Sequence, residues 1–299
     1  LDAHIAQDIT EAVRDTAVLA DIQIAVWGGE RSDRALMDKV KADAGAVGNA
    51  GRVVKNLMSG ADGALKDVRS AYAAIRSMHY ELTLPWVSDP HAERQRGARL
   101  LPNALFDRYM GAIAGRRRIA MEKLDAFLDS YPADSALART NLAGMAKPED
   151  YPTTDDLRRM FRINFSIEPV PDKAGFNMLP PATAAKLRQS LERRHTAMLS
   201  TAMEHVWSEV RARVSLLAER LADPEAKFQK GTVEAVAELA GLVRGWNVAG
   251  DHRAAEVAAD IEALMQAITP EELRKKPEVR ANVATGAASL VGKLDAWSL

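Results

Sequence analysis

Seven arginines fall between positions 94 and 118 (Arg94, Arg96, Arg99, Arg108, Arg116, Arg117 and Arg118), with one acid, Asp107, and no lysine in that window. The window carries +6 in a chain whose formal net charge is −1. A guanidinium can hold a phosphate or carboxylate through two parallel bonds, which a lysine ammonium does not do. Trp86, Phe106 and Tyr109 flank these arginines. A cationic surface with aromatic faces is how proteins hold single-stranded nucleic acid. Two plainer roles stay open for the same residues. The arginines fit a solvated helix face paired with acids elsewhere, and each aromatic fits core packing.

Other chemistries find little support. The chain has no cysteine, which excludes disulfides, thiolate metal sites and a cysteine nucleophile. His79 and Glu81, like His91 and Glu93, are two residues apart and share a face only in extended chain. His195 and His205 fall on one expected helix, but ten residues place them roughly 80° apart around its axis. No metal site is therefore expected. The run Gly45, Gly48, Gly51 has no strand before it and no Gly-Lys-Ser/Thr after it, so packing or a hinge explains it better than a phosphate loop. There is no nucleophile elbow, Walker loop or dinucleotide fingerprint. The expectation is a non-enzymatic protein with no catalytic residue and no cofactor.

The elements that must position the arginines read mostly as helices. Of 299 residues, 47% are hydrophobic and only 5% aromatic, a balance that favours helix over sheet. Apolar spacings predict helices over 2–26, from Ser32 or Asp33 onward, over 62–80, over 103–130 ending at Tyr131-Pro132, and over 134–146. The stretch 77–109 lacks helical period and carries Pro85, Pro90 and Pro102; long connections of this kind are often functional. After a linker at 147–152 and a brief helix capped by Thr153 or Thr154, the period changes to two. Phe161, Ile163, Phe165 and Ile167 alternate with polar residues, which predicts a strand, with 176–178 as a possible hairpin partner. Such an isolated hairpin must pack on helices or pair with another chain, so these four residues are the candidate interaction surface. From 182 to 221 the steps Met203, Val206, Val210, Val214, Leu217, Leu221 lie close to a coiled-coil seam. Helices to 244, over 252–267, 270–275 and 278–297 complete the chain.

The expected fold is thus mainly α, a multi-helix assembly with long antiparallel helices and one small β-hairpin near 161–178. Two regions are expected: residues 1–150, helical with the arginine-rich loop, and 151–299, hairpin plus helical bundle, either as separate domains or as one continuous domain. No run approaches 18 apolar residues, so no membrane partner is expected. The opening residues lack the layout of a secretory signal, and a chain without cysteine fits a reducing cytoplasm. The expected location is the bacterial cytoplasm.

Several short words resemble a phage- and plasmid-associated protein family of unknown function: Gly51-Arg52, Met78-His79-Tyr80, Thr83-Leu84-Pro85-Trp86, Arg99-Leu100-Leu101-Pro102, Asp150-Tyr151-Pro152 and Asn247-Val248-Ala249-Gly250-Asp251. The likeness would span most of the chain. It implies a role in mobile-element DNA metabolism or beside a partner ATPase, and it carries over no catalytic residue. The leading expectation is an oligomeric helical protein that binds DNA, single-stranded in preference, during replication or recombination, through Trp86 and the seven arginines. The alternative is a structural or adaptor subunit that meets itself or a helical protein partner through the 182–221 helix and the hairpin.

Overall fold

Local capping chemistry sets several helix starts. Asp33 accepts from Leu36 N (2.9 Å), Thr153 from Asp156 N (3.2 Å) and Asp251 from Arg253 N (2.9 Å). Thr269 and Glu272 form a reciprocal capping box. Each satisfies N–H groups that a helix start leaves without partners. The computed structural model describes residues 13–48, 51–88, 97–172, 174–223, 230–266 and 268–297. Over them the order is β1 (Ala17–Ala25), β2 (Glu30–Ser32), α1 (Arg34–Ala44), β3 (Val54–Asn56), α2 (Gly63–Leu82), β4 (Arg99–Pro102), α3 (Phe106–Leu142), α4 (Thr154–Met160) and β5 (Arg162–Pro169). Then come α5 (Pro181–Ala222), α6 (Lys230–Trp246), α7 (His252–Met265), α8 (Pro270–Lys275) and α9 (Pro277–Trp297). The protein is mainly α. No helix among the described residues is long and apolar enough to cross a membrane.

The chain divides into two compact units. Unit A comprises Leu1–Asp21, Tyr80–Tyr109 and Ser166–Leu299; unit B comprises Ile22–His79 and Met110–Phe165. The chain passes between them inside β1, α2, α3 and β5.

Unit A is built on α5. Val206, Val210, Val214, Leu217 and Leu221 are buried along it, the stripe expected from their spacing. α9 packs antiparallel to its C-terminal part, with Arg211 Nε 2.9 Å from Asp295. At the other end of α9, Arg280 donates to the carbonyls of Leu221 (2.9 Å), Arg220 (3.2 Å) and Asp223. Those are carbonyls that a helix end leaves open. α6 and α7 pack together and share a forked Arg244–Glu262 pair. Lys293 of α9 reaches Glu256 (2.5 Å) and Asp260 (2.7 Å) of α7. In the same unit Ala17–Ala20 pair antiparallel with Pro102–Arg99, and Leu84 bridges Leu100.

Unit B packs aromatic rings. Trp27 lies 6.3 Å from Phe127 and 6.0 Å from Tyr131, and Phe161 lies 6.0 Å from Phe127 and 5.7 Å from Tyr72. Most of these pairs meet edge to face, the arrangement that the ring quadrupole favours. Beside them β2 and β3 pair antiparallel and hold a buried charge cluster. Lys55 of β3 contacts Asp150 and lies 3.1 Å from Asp33, while Arg31 lies 3.1 Å from Asp150.

Three expectations change. Residues 17–25 form a strand, not the end of a helix. Val18, Ile22 and Ile24 are β-branched and stiff, and pairing with β4 and β5 overrides a helical period that the segment also carries. The 103–130 helix does not stop at Pro132 but runs on to Leu142. The buried stripe Phe127, Leu128, Tyr131 continues through Ser135, Ala138 and Leu142, and this packing offsets the roughly 3 kcal/mol cost of an internal proline. The expected strand after Phe161 does form, but its partner is β1, giving the order β4-β1-β5. Residues 174–176 make a 3₁₀ turn instead of a returning strand.

Candidate nucleic-acid interface

The described arginines of the window fall in both units. Arg94 and Arg96 lie outside the described residues. Arg99 in β4 is only 3% exposed. Its Nε donates to Thr83 Oγ1 (2.8 Å) and one terminal nitrogen to the Thr83 carbonyl (3.0 Å), while the guanidinium sits 4.6 Å from the centre of the Tyr80 ring. Burial lowers its pKa to about 10, because a low-dielectric site disfavours the charged form. Arg108 is exposed and pairs with Glu238 of α6 (3.2 Å).

Arg116, Arg117 and Arg118 occupy one turn of α3 in unit B, all exposed. Arg118 bonds Glu122 one turn on (2.6 Å). Arg116 and Arg117 meet no acidic side chain among the described residues. Unit B as a whole holds 18 Lys and Arg against 14 Asp and Glu, whereas unit A holds 22 against 27. The near-neutral chain therefore contains one cationic and one anionic unit.

Trp86 is 8% exposed and packs 5.4 Å from the His195 ring, so its face serves the core of unit A. Phe106 is half-buried and Tyr109 fully buried. Of the expected interaction residues, Phe161 and Ile163 are buried in unit B, Ile167 is half-buried and Phe165 is exposed. The alternation thus holds only for the first half of β5.

A second polar feature of unit B was not legible in the sequence. An open cleft of about 530 Å³ lies between α2 and the β2–β3 pair, and Lys66, Arg69 and Ser70 line one side of it. In the sequence these three belong to an ordinary amphipathic helix, and only tertiary packing sets them opposite Glu30 and Asn56. Among the described residues no three His, Asp or Glu side chains are grouped to hold a metal ion.

Comparison of the chain with protein-family models, curated proteins and solved structures gives no match. The likeness to a phage- and plasmid-associated family rests on the short sequence words alone.

Proposed function

We propose that this protein is a non-enzymatic helical protein that binds DNA, single-stranded in preference, through the cationic surface of unit B, in the replication or recombination of a phage or other mobile element. The observation that carries the reading is the exposed run Arg116–Arg117–Arg118 on α3, in the unit whose basic residues outnumber its acids. Arg116 and Arg117, with no acidic partner among the described residues, offer phosphate oxygens strong, geometrically suited guanidinium donors, and Arg118, paired with Glu122, lies beside them. The setting follows from the sequence resemblance. Arg99 and Trp86 have structural work in unit A and drop out of the binding surface, which leaves the α3 arginines as its centre.

The test is a binding titration on single- and double-stranded oligonucleotides across a salt series. Phosphate contacts release counterions, so log K should fall linearly with log salt, and Arg116→Glu with Arg117→Glu should shallow that slope by roughly 1–2. No binding at low salt, or an affinity indifferent to salt, overturns the reading.

One observation favours the second reading, an assembly or adaptor subunit. Among the described residues β5 stands at the edge of its sheet, and Phe165 on it is 37% exposed. An open edge can add a strand from another chain. Light scattering that gives the monomer mass at every concentration would remove self-assembly through that edge.

A further inference from the structure

We propose that the cleft of unit B is a binding site for a small phosphate monoester that also carries hydroxyl groups, in chemical class a sugar phosphate. Three donors come from one face of α2: the Lys66 ammonium, the Arg69 guanidinium and the Ser70 hydroxyl, at positions i, i+3 and i+4. That spacing places them side by side on the helix surface. A charged, three-oxygen phosphate takes bonds from all three at once, whereas a carboxylate has only two oxygens to offer.

The opposite wall carries acceptors and an amide. Glu30 comes from β2 and Asn56 from β3, while Asp62, just before α2 and one turn from Lys66, adds a second carboxylate to the lining. Two carboxylates repel a second anionic group but accept bonds from hydroxyls, so the ligand end that meets them is a donor-rich neutral one. Little else among the described residues uses these groups. Among the described residues the side chains of Glu30, Asp62, Lys66 and Ser70 make no hydrogen bond or ion pair with protein. Asn56 spends its oxygen on Met58 N (3.1 Å), which leaves the amide N–H₂ to donate. Arg69 makes one long bond to the Gly28 carbonyl (3.5 Å) and keeps its other donors.

The cleft is also held in shape by its sequence. Gly29 has φ +68°, and a Cβ there would stand 2.6 Å from Leu65 Cδ2. Only glycine lets the chain lie so close to α2 in that conformation. Leu65 is buried and forms an apolar floor, and the small side chain of Ala73 leaves the space above the next turn open. A volume of about 530 Å³ is in the ordinary range of small-ligand sites. The α3 arginines do not line this cleft, so the site stands independently of DNA binding.

Calorimetric titration of the full chain with ribose 5-phosphate, inorganic phosphate and ribose tests the proposal. One saturable site is expected for ribose 5-phosphate, at least about tenfold tighter than for inorganic phosphate, which is the worth of one or two added hydrogen bonds, with no binding of ribose alone. Lys66→Glu should abolish it. Ala73→Trp, which fills the cleft from an exposed helix position, should abolish it with an unchanged circular dichroism spectrum. Arg116→Glu with Arg117→Glu should leave it intact. No saturable binding, equal affinity for phosphate and its sugar ester, or full affinity in a folded Ala73→Trp protein would overturn the assignment.

Discussion

Lys55 and Asp150 form an ion pair in which each residue is only 4% exposed, and Asp33 and Arg31 complete the cluster around them. Hydrogen bonding to Asp150, and then to Asp33, raises the Lys55 pKa against the opposing effect of burial. The pair ties β3 to the turn at Pro148–Asp150, and Asp33 caps α1 as well. Removing the cation would strand carboxylates in a dry site. Lys55→Met is therefore expected to destabilise the protein by about 3–5 kcal/mol, read by chemical denaturation. Lys55→Met combined with Asp150→Leu should recover part of that loss. A single variant as stable as the parent would show that the cluster is not a keystone of unit B.

Arg99 supplies a contrast with the exposed arginines. Thr83 is fully buried, and the guanidinium of Arg99 bonds both its hydroxyl and its carbonyl. Arg99→Ala should destabilise the protein by about 1–3 kcal/mol, the cost of leaving such groups without a donor, and leave the salt dependence of DNA binding unchanged. Thermal melts and the oligonucleotide titration read the two effects separately.

Acid should weaken unit A through two histidines of α5. His195 is buried, its Nε2 has no hydrogen-bond partner among the described residues, and burial, with Arg194 adding, holds its pKa below the usual 6.5. Burial also lowers His205, helped by Arg99 and Arg213 and opposed by Glu209. The unfolded chain then binds more protons than the folded one as pH falls below 6.5. Stability is full above that value and declines as pH drops from it towards the folded pKa values. The melting temperature should fall between pH 7.5 and 5, and His195→Phe should flatten that dependence; an equal pH response in both proteins would rule out this histidine as a cause.

Gly245 tests a close approach between elements of unit A. A Cβ at this position would meet Leu105 Cδ2 at 2.5 Å and Cγ at 2.6 Å. In an open helix alanine would stabilise relative to glycine by about 1 kcal/mol. Here overpacking should reverse the sign, with Gly245→Ala costing about 1–3 kcal/mol in equilibrium unfolding.

The sequence announced what local chemistry controls. The stripe Val206–Leu221, the caps at Asp33 and Thr153 and the strand after Phe161 all follow from residue types at short spacing. It was silent where distant segments decide. Ala17–Ala25 carries apolar steps compatible with helix or strand, and only the pairing with Arg99–Pro102 and β5 selects the strand. β2, β3 and β4 are three or four residues each, too short to show a period. Lys55, Asp33 and Asp150 lie far apart along the chain, so no spacing marks their cluster. The arginine window read as one patch because its members lie within 25 residues of sequence, yet Arg99 is an internal donor and Arg116–Arg118 belong to the other unit.

The interleaving of the two units fixes an order of synthesis. Every residue of unit B has been made once Phe165 leaves the ribosome, whereas unit A still lacks its longest segment, Ser166–Leu299. Domains fold as units during translation, so the cationic unit can close before the helices that complete unit A exist. Residues 17–20 can by then pair with 99–102, whereas Trp86 meets the His195 ring only when α5 has emerged.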